Sequence, residues 1–240
     1  MVRQFFFSLF WLLSVNGWAD ELKVVTEHRE PLNFVNKQGE IVGDATRVVK
    51  QILEHAGVDY SLNIYPWARA YRKARTEPNT LIYAIRRTNE REELFHWVCP
   101  IIESEREFIY RLSHRNDIQI VYFNDAKSYS LGVVRDDFTH EKLMTHGFKN
   151  GEHLDVNNDS LANLKKLLKG RVDLIVQSKS TITRHLNSLD IPMSRVTATL
   201  PFELDQPTCL ALHRDTVESV VEKLRASHKH LLESGLLLNN

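Results

Sequence analysis

The sequence lacks the Gly-rich loops that bind dinucleotides or phosphates, and it lacks the strand–turn–helix motif of a nucleophilic serine. It also lacks an excess of either charge, since 31 Lys and Arg residues balance 31 Asp and Glu residues. General binding to nucleic acid or to a membrane surface needs excess positive charge, so neither is expected. No internal repeat or low-complexity tract is visible. The 240 residues therefore correspond to one large domain or two modest lobes.

Long hydrophobic runs are also scarce, and the longest lies at the N-terminus. Residues 5–15 are apolar and follow Arg3, and Gly17 and Ala19 place small residues before Asp20. Such a run is too short to span a bilayer, which needs about 20 apolar residues. The pattern predicts a signal peptide over residues 1–19 and a mature protein in the periplasm. An uncleaved N-terminal anchor is the alternative.

Cysteine is limited to Cys99 and Cys209. In an oxidising compartment such a pair can be bridged, which would join distant parts of the chain. The favoured interpretation is instead two buried free thiols. Neither cysteine has the closely spaced neighbour of a zinc site, so no metal and no cofactor are expected. The 11 histidines are scattered, and the two closest pairs are interpreted as solvated surface: His140 with His146 and His228 with His230.

Short apolar strands alternate with amphipathic helices along the chain. Residues 22–26 and 81–85 read as strands, and the apolar stripe from Ala45 to Ala56 predicts a helix closed by Gly57. A polar turn rich in arginine follows residue 85, and a short helical segment is predicted to end at Pro100. Strands and helices of these lengths predict an α/β fold.

Several segments form a familiar series when they are taken in order. The Thr-x-x-Arg turn at residues 88–91 is followed by FHWVCP at 95–100, LGVV at 131–134, LKGRVDLIV at 168–176 and CLALHRD at 209–215. In this order the segments resemble the family 3 periplasmic solute-binding proteins, the polar amino-acid receptors of ABC importers. The resemblance covers essentially all of the mature chain.

That resemblance implies two α/β lobes of the type II periplasmic-binding-protein fold, joined by two hinge crossings and closing on a solute. Lobe 1 would comprise residues 20–104 plus 206–240, and lobe 2 residues 105–205. The implied partners are a small-molecule solute and either an ABC permease or a membrane sensor, with the protein itself a monomer.

Two positions match the ligand site of this family. Arg91 matches the arginine that pairs the ligand carboxylate, and a guanidinium fork suits a planar anion. Its alternative role is a surface arginine that pairs with Glu92 or Glu93. Glu27 matches an acidic position that meets a cationic group of the ligand, with a solvated loop acid as the alternative.

Other positions in the first lobe depart from the family pattern. Arg86 stands where relatives carry a small hydroxyl residue, and Arg69 stands at an apolar position that touches ligand. Both would face Arg91 and would need an anion or an acid to neutralise them. Trp67 and Tyr83 are expected on the same rim, where they could stack on the ligand. A core role for Trp67 and a solvated role for Arg69 stay open.

In the second lobe, Asp137 occupies a helix N-terminus where relatives present hydroxyls to the ligand. The aspartate that binds the ligand ammonium is replaced by Ser178. The amino-acid clamp is therefore half present, and a more anionic or differently presented small solute is expected.

The leading functional hypothesis is a periplasmic binding protein or sensor for a small polar solute, acting without covalent chemistry. One alternative is an enzyme on the same fold, similar to cyclohexadienyl dehydratases, with Glu27 or Asp137 as general acid or base. A second alternative is a degenerate, ligand-free interaction module.

Overall fold

The structure is a computed structural model that describes residues 21–202 and 206–237. The signal peptide predicted over residues 1–19 lies outside the described residues. The strands are β1 (Leu22–Thr26), β2 (Phe34–Val35), β3 (Ile41–Val42), β4 (Tyr60–Ile64), β5 (Thr80–Arg86), β6 (Phe95–Ile102), β7 (Glu107–Leu112), β8 (Leu131–Val134), β9 (Leu154–Asn157), β10 (Leu174–Ser178), β11 (Val196–Phe202) and β12 (Thr208–His213). The helices are α1 (Asp44–Ala56), α2 (Trp67–Thr76), α3 (Phe138–Thr145), α4 (Ser160–Leu168), α5 (Lys179–Asn187) and α6 (Glu218–Glu233).

The first sheet has the strand order β4-β1-β5-β12-β6. Strands β4, β1 and β5 are parallel, while β12 runs antiparallel to both of its neighbours. Successive residues of β1 face opposite sides, so that Val24 joins a core with α1 and α6 while Val25 joins a core with α2. Both faces of this sheet are therefore covered, as its largely apolar strands require.

The second sheet has the order β11-β7-β10-β8-β9, with β10, β8 and β9 parallel. It carries its own two apolar cores. The chain passes from the first sheet to the second after β6 and returns after β11. The predicted α/β fold with two lobes and two crossings is confirmed.

One predicted element is wrong. The segment that ends at Pro100 is not helical: a single 3-10 turn at Glu92–Leu94 leads directly into strand β6. The alternation of buried Phe95, Trp97 and Val98 with less buried neighbours suits a strand, and pairing with β12 supplies the backbone hydrogen bonds.

The interpretation of the two cysteines as free thiols is also wrong. Cys99 and Cys209 form a disulfide with an S–S distance of 2.03 Å. They lie on β6 and β12, which are neighbours in the first sheet, so their Cα atoms are only 4.6 Å apart although 110 residues separate them in sequence.

Two of the histidines interpreted as surface residues are buried. His140 is 7% exposed and accepts a hydrogen bond from the backbone N–H of Asp136, while His228 is 6% exposed and bonds to the carbonyl of Pro100. Their ring nitrogens thus serve structural hydrogen bonds. Among the described residues, no group of three or more metal-ligating side chains is close enough to hold an ion.

Candidate functional site

A cavity lies between the two sheets. Its volume is about 80 Å³, which is smaller than the sites that hold drug-sized ligands, about 300–1,000 Å³, so it suits a small solute. Six of the eight predicted site residues line it: Glu27, Trp67, Arg86, Arg91, Asp137 and Ser178. The structure therefore brings together most of the residues that the sequence suggested.

The positions of these side chains follow from the sheet topology. Glu27 follows β1 and Arg86 ends β5, which are parallel neighbours in the first sheet. Asp137 follows β8 and Ser178 ends β10, which are parallel neighbours in the second sheet. Because the carboxyl ends of parallel strands meet at one edge of a sheet, each sheet presents its functional residues at the edge that faces the other.

Two residues at the site have left-handed backbone conformations that non-glycine residues rarely adopt. Ala84, which lines the cavity, has a φ of 59° where the pairing of β5 with β12 shifts register. Asp136, which has a φ of 58°, bends the chain between β8 and α3. Such conformations concentrate at functional sites, where the surrounding structure has to hold them.

Arg91 is fully engaged by the protein. It is 1% exposed, and its Nε donates to Glu141 Oε2 at 2.8 Å. Its Nη1 donates to the carbonyl of Arg86 at 3.4 Å, and its Nη2 donates to the carbonyl of Asp136 at 3.1 Å. The alternative of a surface pair with Glu92 or Glu93 is wrong, because those acids pair with other arginines.

Two aromatic rings cover the Arg91 guanidinium. Its carbon lies 4.7 Å from the ring centre of Tyr71 and 5.5 Å from that of Trp67. Trp67 is 4% exposed, and its indole N–H donates to the Asp136 carbonyl at 2.7 Å. Trp67 and Arg91 therefore both bind one carbonyl that the second sheet presents across the cavity.

Three carboxyl groups line the cavity. Burial raises the pKa of Glu27, and the nearby Glu107 charge adds to the effect, although Arg29 opposes it. Burial likewise raises the pKa of Asp137 to about 8. Glu107 accepts from Arg29 Nη2 and from Thr139 Oγ1, each at 3.3 Å. Ionising Glu27 or Asp137 in this cavity therefore costs free energy.

Arg86 is 7% exposed and donates from Nη1 to the carbonyl of Gln206 at 3.2 Å. Burial lowers its pKa to about 10, and the charge of Glu107 opposes that shift. Arg86 therefore keeps its positive charge at neutral pH.

The end of β10 contributes an amide that sequence reasoning passed over. Gln177 is 4% exposed and lines the cavity. Its Nε2 donates to the Ser160 carbonyl at 2.8 Å, but its Oε1 is buried and has no hydrogen-bond partner in the part of the chain that the structure describes. Ser178, which the sequence did single out, caps α5 by accepting from the N–H of Thr181.

Two predicted site residues lie elsewhere. Tyr83 is fully buried among the core residues packed on α1, and its hydroxyl is 2.8 Å from Thr46 Oγ1. Arg69 is exposed on α2, lies over the ring of Tyr65 at 4.6 Å, and lines a separate groove with other arginines. The expectations that Tyr83 would lie on the rim and that Arg69 would face Arg91 are wrong: Tyr83 points to the α1 side of β5, and Arg69 points out of the cavity.

The position of Tyr83 leads to a first prediction. Tyr83→Phe should lower the free energy of unfolding by about 1 kcal/mol, because it removes one buried hydrogen bond and leaves the Thr46 hydroxyl bonded to the Val42 carbonyl. Solute affinity should not change. Denaturant unfolding and calorimetry of the same preparations measure both, and a loss of affinity with unchanged stability would return Tyr83 to the binding site.

A second prediction concerns Asp137. A carboxyl whose folded-state pKa lies near 8 retains a proton that the unfolded chain loses near pH 4, so its contribution to stability is complete below pH 4 and is lost as the pH rises through 8. Asp137→Asn cannot titrate and can still cap α3. We expect this variant to melt several degrees above wild type at pH 8 and close to it at pH 4, since about 1 kcal/mol corresponds to about 2–4 °C.

Asp136→Asn, at the exposed neighbouring acid, is the control and should show no such trend. Equal melting temperatures of wild type and Asp137→Asn at pH 8 would contradict this assignment.

The described residues contain no helix that is long and apolar enough to cross a membrane. No curated protein sequence matches the chain. Solved structures do match. A histidine kinase sensor domain with similarity to periplasmic binding proteins is 14% identical, with a TM-score of 0.78, and the match covers 91% of this chain and 92% of that one.

Two amino-acid-binding proteins are also similar. An ancestral arginine-binding protein, solved with bound arginine, is 17% identical with a TM-score of 0.75, over 90% of this chain and 94% of that one. The arginine-, lysine-, histidine-binding protein ArtJ from the thermophilic bacterium Geobacillus stearothermophilus is 17% identical with a TM-score of 0.73, over 90% of this chain and 91% of that one.

At these identities the structural matches establish the fold. The sequence profile of the bacterial extracellular solute-binding proteins, family 3, matches residues 22–190, which is well over half of the chain. The chain belongs to this family of extracellular solute-binding proteins.

Proposed function

We propose that the protein is a periplasmic receptor that closes over a small polar solute in the cavity between its sheets, without covalent chemistry. One observation carries this proposal: charged residues from both sheets line one shared cavity. A solute in that position contacts both lobes at once, so its binding free energy favours the closed arrangement.

The proposed lobes are residues 20–104 plus 206–240 and residues 105–205, with residues 1–19 removed on export. The membership of the two sheets supports these boundaries, because β7 to β11 belong to one sheet and the remaining long strands to the other. The proposed partner is an ABC permease or a membrane sensor that reads closure. The similar histidine kinase sensor domain supports a membrane sensor as the partner, and the similarity to the arginine-binding proteins leaves a permease as the other candidate.

The charges at the cavity favour a solute that carries a cationic group. The expectation of a more anionic solute rested on arginines that would need neutralising. In the structure Arg86 and Arg91 have acceptors within the protein and Arg69 points out of the cavity. By contrast, Glu27 and Asp137 lack cationic partners at hydrogen-bond distance among the described residues. A positively charged N–H donor would stabilise both ionised carboxylates.

The test is a thermal-shift screen of the mature protein against a broad panel of small metabolites, followed by calorimetry on each hit. At a concentration of about 100 times Kd, a solute adds about 2.7 kcal/mol of stability, which is readily detected as a higher melting temperature. A bound solute recovered unchanged after prolonged incubation supports a receptor. Conversion of the solute would instead favour the enzyme alternative, and absence of any shift would favour the ligand-free module.

A further inference from the structure

We propose that the solute is an amine or guanidine cation without an α-carboxylate, because Glu141 of this chain supplies the carboxylate that Arg91 binds. This inference rests on the proposed function and names the chemical class of its solute. It is carried by the hydrogen bonds of Arg91, by those of the other two cavity arginines, and by the buried acceptors that face them.

Each edge of the Arg91 guanidinium already donates to an acceptor of this chain. A guanidinium recognises a carboxylate best through two adjacent N–H groups that point the same way. Here Nε donates to Glu141 and Nη2 to the Asp136 carbonyl, so the two edges that include either nitrogen are already engaged. The third donor, Nη1, faces the Arg86 carbonyl. With 1% exposure and two rings over the guanidinium, a competing anion would have to displace Glu141 first.

The remaining arginines are also matched by acceptors. Arg29 is bonded to Glu107, which is itself 8% exposed. Arg86 is bonded to the Gln206 carbonyl and lies in the field of the same Glu107 carboxylate. An acidic solute would therefore gain Arg29 or Arg91 only by separating an ion pair that the protein has already formed, and separating a buried pair leaves an uncompensated charge. Arg86 forms no ion pair among the described residues, but a solute that binds it would bring its own negative charge close to Glu107.

The unmatched groups of the cavity are hydrogen-bond acceptors. The Glu27 carboxylate makes no hydrogen bond within the described residues, and Asp137 uses one oxygen to cap α3. The Oε1 atom of Gln177, whose side chain lines the same cavity, is buried and has no partner among residues 21–202 and 206–237. An ammonium or guanidinium has several N–H donors and no acceptor, so it can satisfy all three groups together.

The experiment compares matched solutes that differ only in the α-carboxylate: arginine with agmatine, and lysine with cadaverine. Calorimetry on the wild-type mature protein should give at least about tenfold tighter binding of the decarboxylated member of a pair, since the carboxylate would lose its charge-assisted partner. Any other solute found by the metabolite screen is judged by the same criterion. A cation without a carboxylate supports the inference, and a solute with a free α-carboxylate overturns it.

The variant Glu141→Ala vacates Arg91 and should raise the affinity for arginine or lysine by at least about tenfold, while agmatine or cadaverine changes by less than about threefold. Glu141→Gln, which keeps the side-chain volume, should show a smaller change in the same direction. Glu152→Ala removes a surface acid of the same sheet region that pairs with Lys149, and it should change neither affinity.

Two results separate this inference from the proposed function. Wild-type protein that binds the amino acid at least as tightly as its decarboxylated partner overturns the inference while the receptor function stands. Equal effects of Glu141→Ala on both members of a pair also overturn it. If no solute of any class binds, both the inference and the proposed function fail. The wild-type comparison needs no variant, so it stands even where Glu141→Ala does not fold.

Discussion

Removal of the Cys99–Cys209 disulfide is expected to lower the free energy of unfolding by about 2–5 kcal/mol, the largest stability effect predicted for this chain. The bridge closes a loop of 110 residues that includes the whole second sheet. In a simple chain-entropy model, closing a loop of about this length lowers the entropy of the unfolded chain. The unfolded state is thereby destabilised by about 4.7 kcal/mol at 25 °C. The double variant Cys99→Ala, Cys209→Ala removes the link without placing a buried polar group in β12.

Denaturant unfolding with and without a reducing agent measures this effect. Wild type under reducing conditions should approach the double variant, and the variant should not respond to the reducing agent. Neither cysteine lines the cavity, so the affinity for a solute should be unchanged under conditions in which both forms are folded. Equal unfolding midpoints for oxidised wild type and the variant would show that the bridge contributes nothing to stability.

The largest effect on binding is expected from Glu27→Gln combined with Asp137→Asn, which should weaken affinity for the cationic solute at least about 100-fold. Each substitution keeps the size of the side chain and removes one charged acceptor, and a hydrogen bond to a charged group contributes about 1.5–3 kcal/mol. The pH dependence has a definite sign. Because Asp137 has a pKa of about 8, it must lose its proton to hold a cation, so wild-type affinity should rise about tenfold or more between pH 6 and pH 8.

Calorimetry across that pH range tests both parts of the prediction. The matched control combines Asp59→Asn with Glu152→Gln, which neutralises two exposed acids away from the cavity and should leave both the affinity and its pH dependence unchanged. An affinity that falls as the pH rises would mean that the cavity binds its solute through the arginines, and it would contradict the proposed cation site.

Those features of the fold that depend on local patterns could be predicted from the sequence. The helix predicted from Ala45 to Ala56 is α1, and the strands predicted at residues 22–26 and 81–85 are β1 and the centre of β5. Strand β6 was missed because FHWVCPII follows a turn rich in charged residues, and its strand conformation depends on pairing with β12, more than 100 residues later.

A site residue could be predicted from the sequence only where its position depends on which end of a strand or helix it lies at. Glu27 could be placed because it comes directly after β1, and Asp137 could be placed because it lies at the N-terminus of the helix that follows β8. Glu141 could not, because nothing near α3 in the sequence identifies Arg91 as its partner, and the two meet only when the sheets face each other. Tyr83 was misplaced because a strand residue can point to either face of its sheet, and the sequence alone did not decide which one. Arg69 was misplaced because the sequence did not decide which side of α2 turns towards the cavity.

The carbonyl of Asp136 accepts hydrogen bonds from both Trp67 and Arg91, and neither bond needs a solute. Together with the Arg91–Glu141 pair, they supply part of the free energy that holds the two sheets face to face. A solute then has to supply only the remaining free energy of closure, so it needs a smaller difference in affinity between the open and closed forms. Its apparent Kd consequently lies closer to its intrinsic Kd for the closed form. The same bonds raise the population of closed protein in the absence of solute. A membrane partner that binds the closed form would then be partly occupied before any solute arrives. The solute-bound and solute-free receptors would differ in the fraction that is bound to this partner.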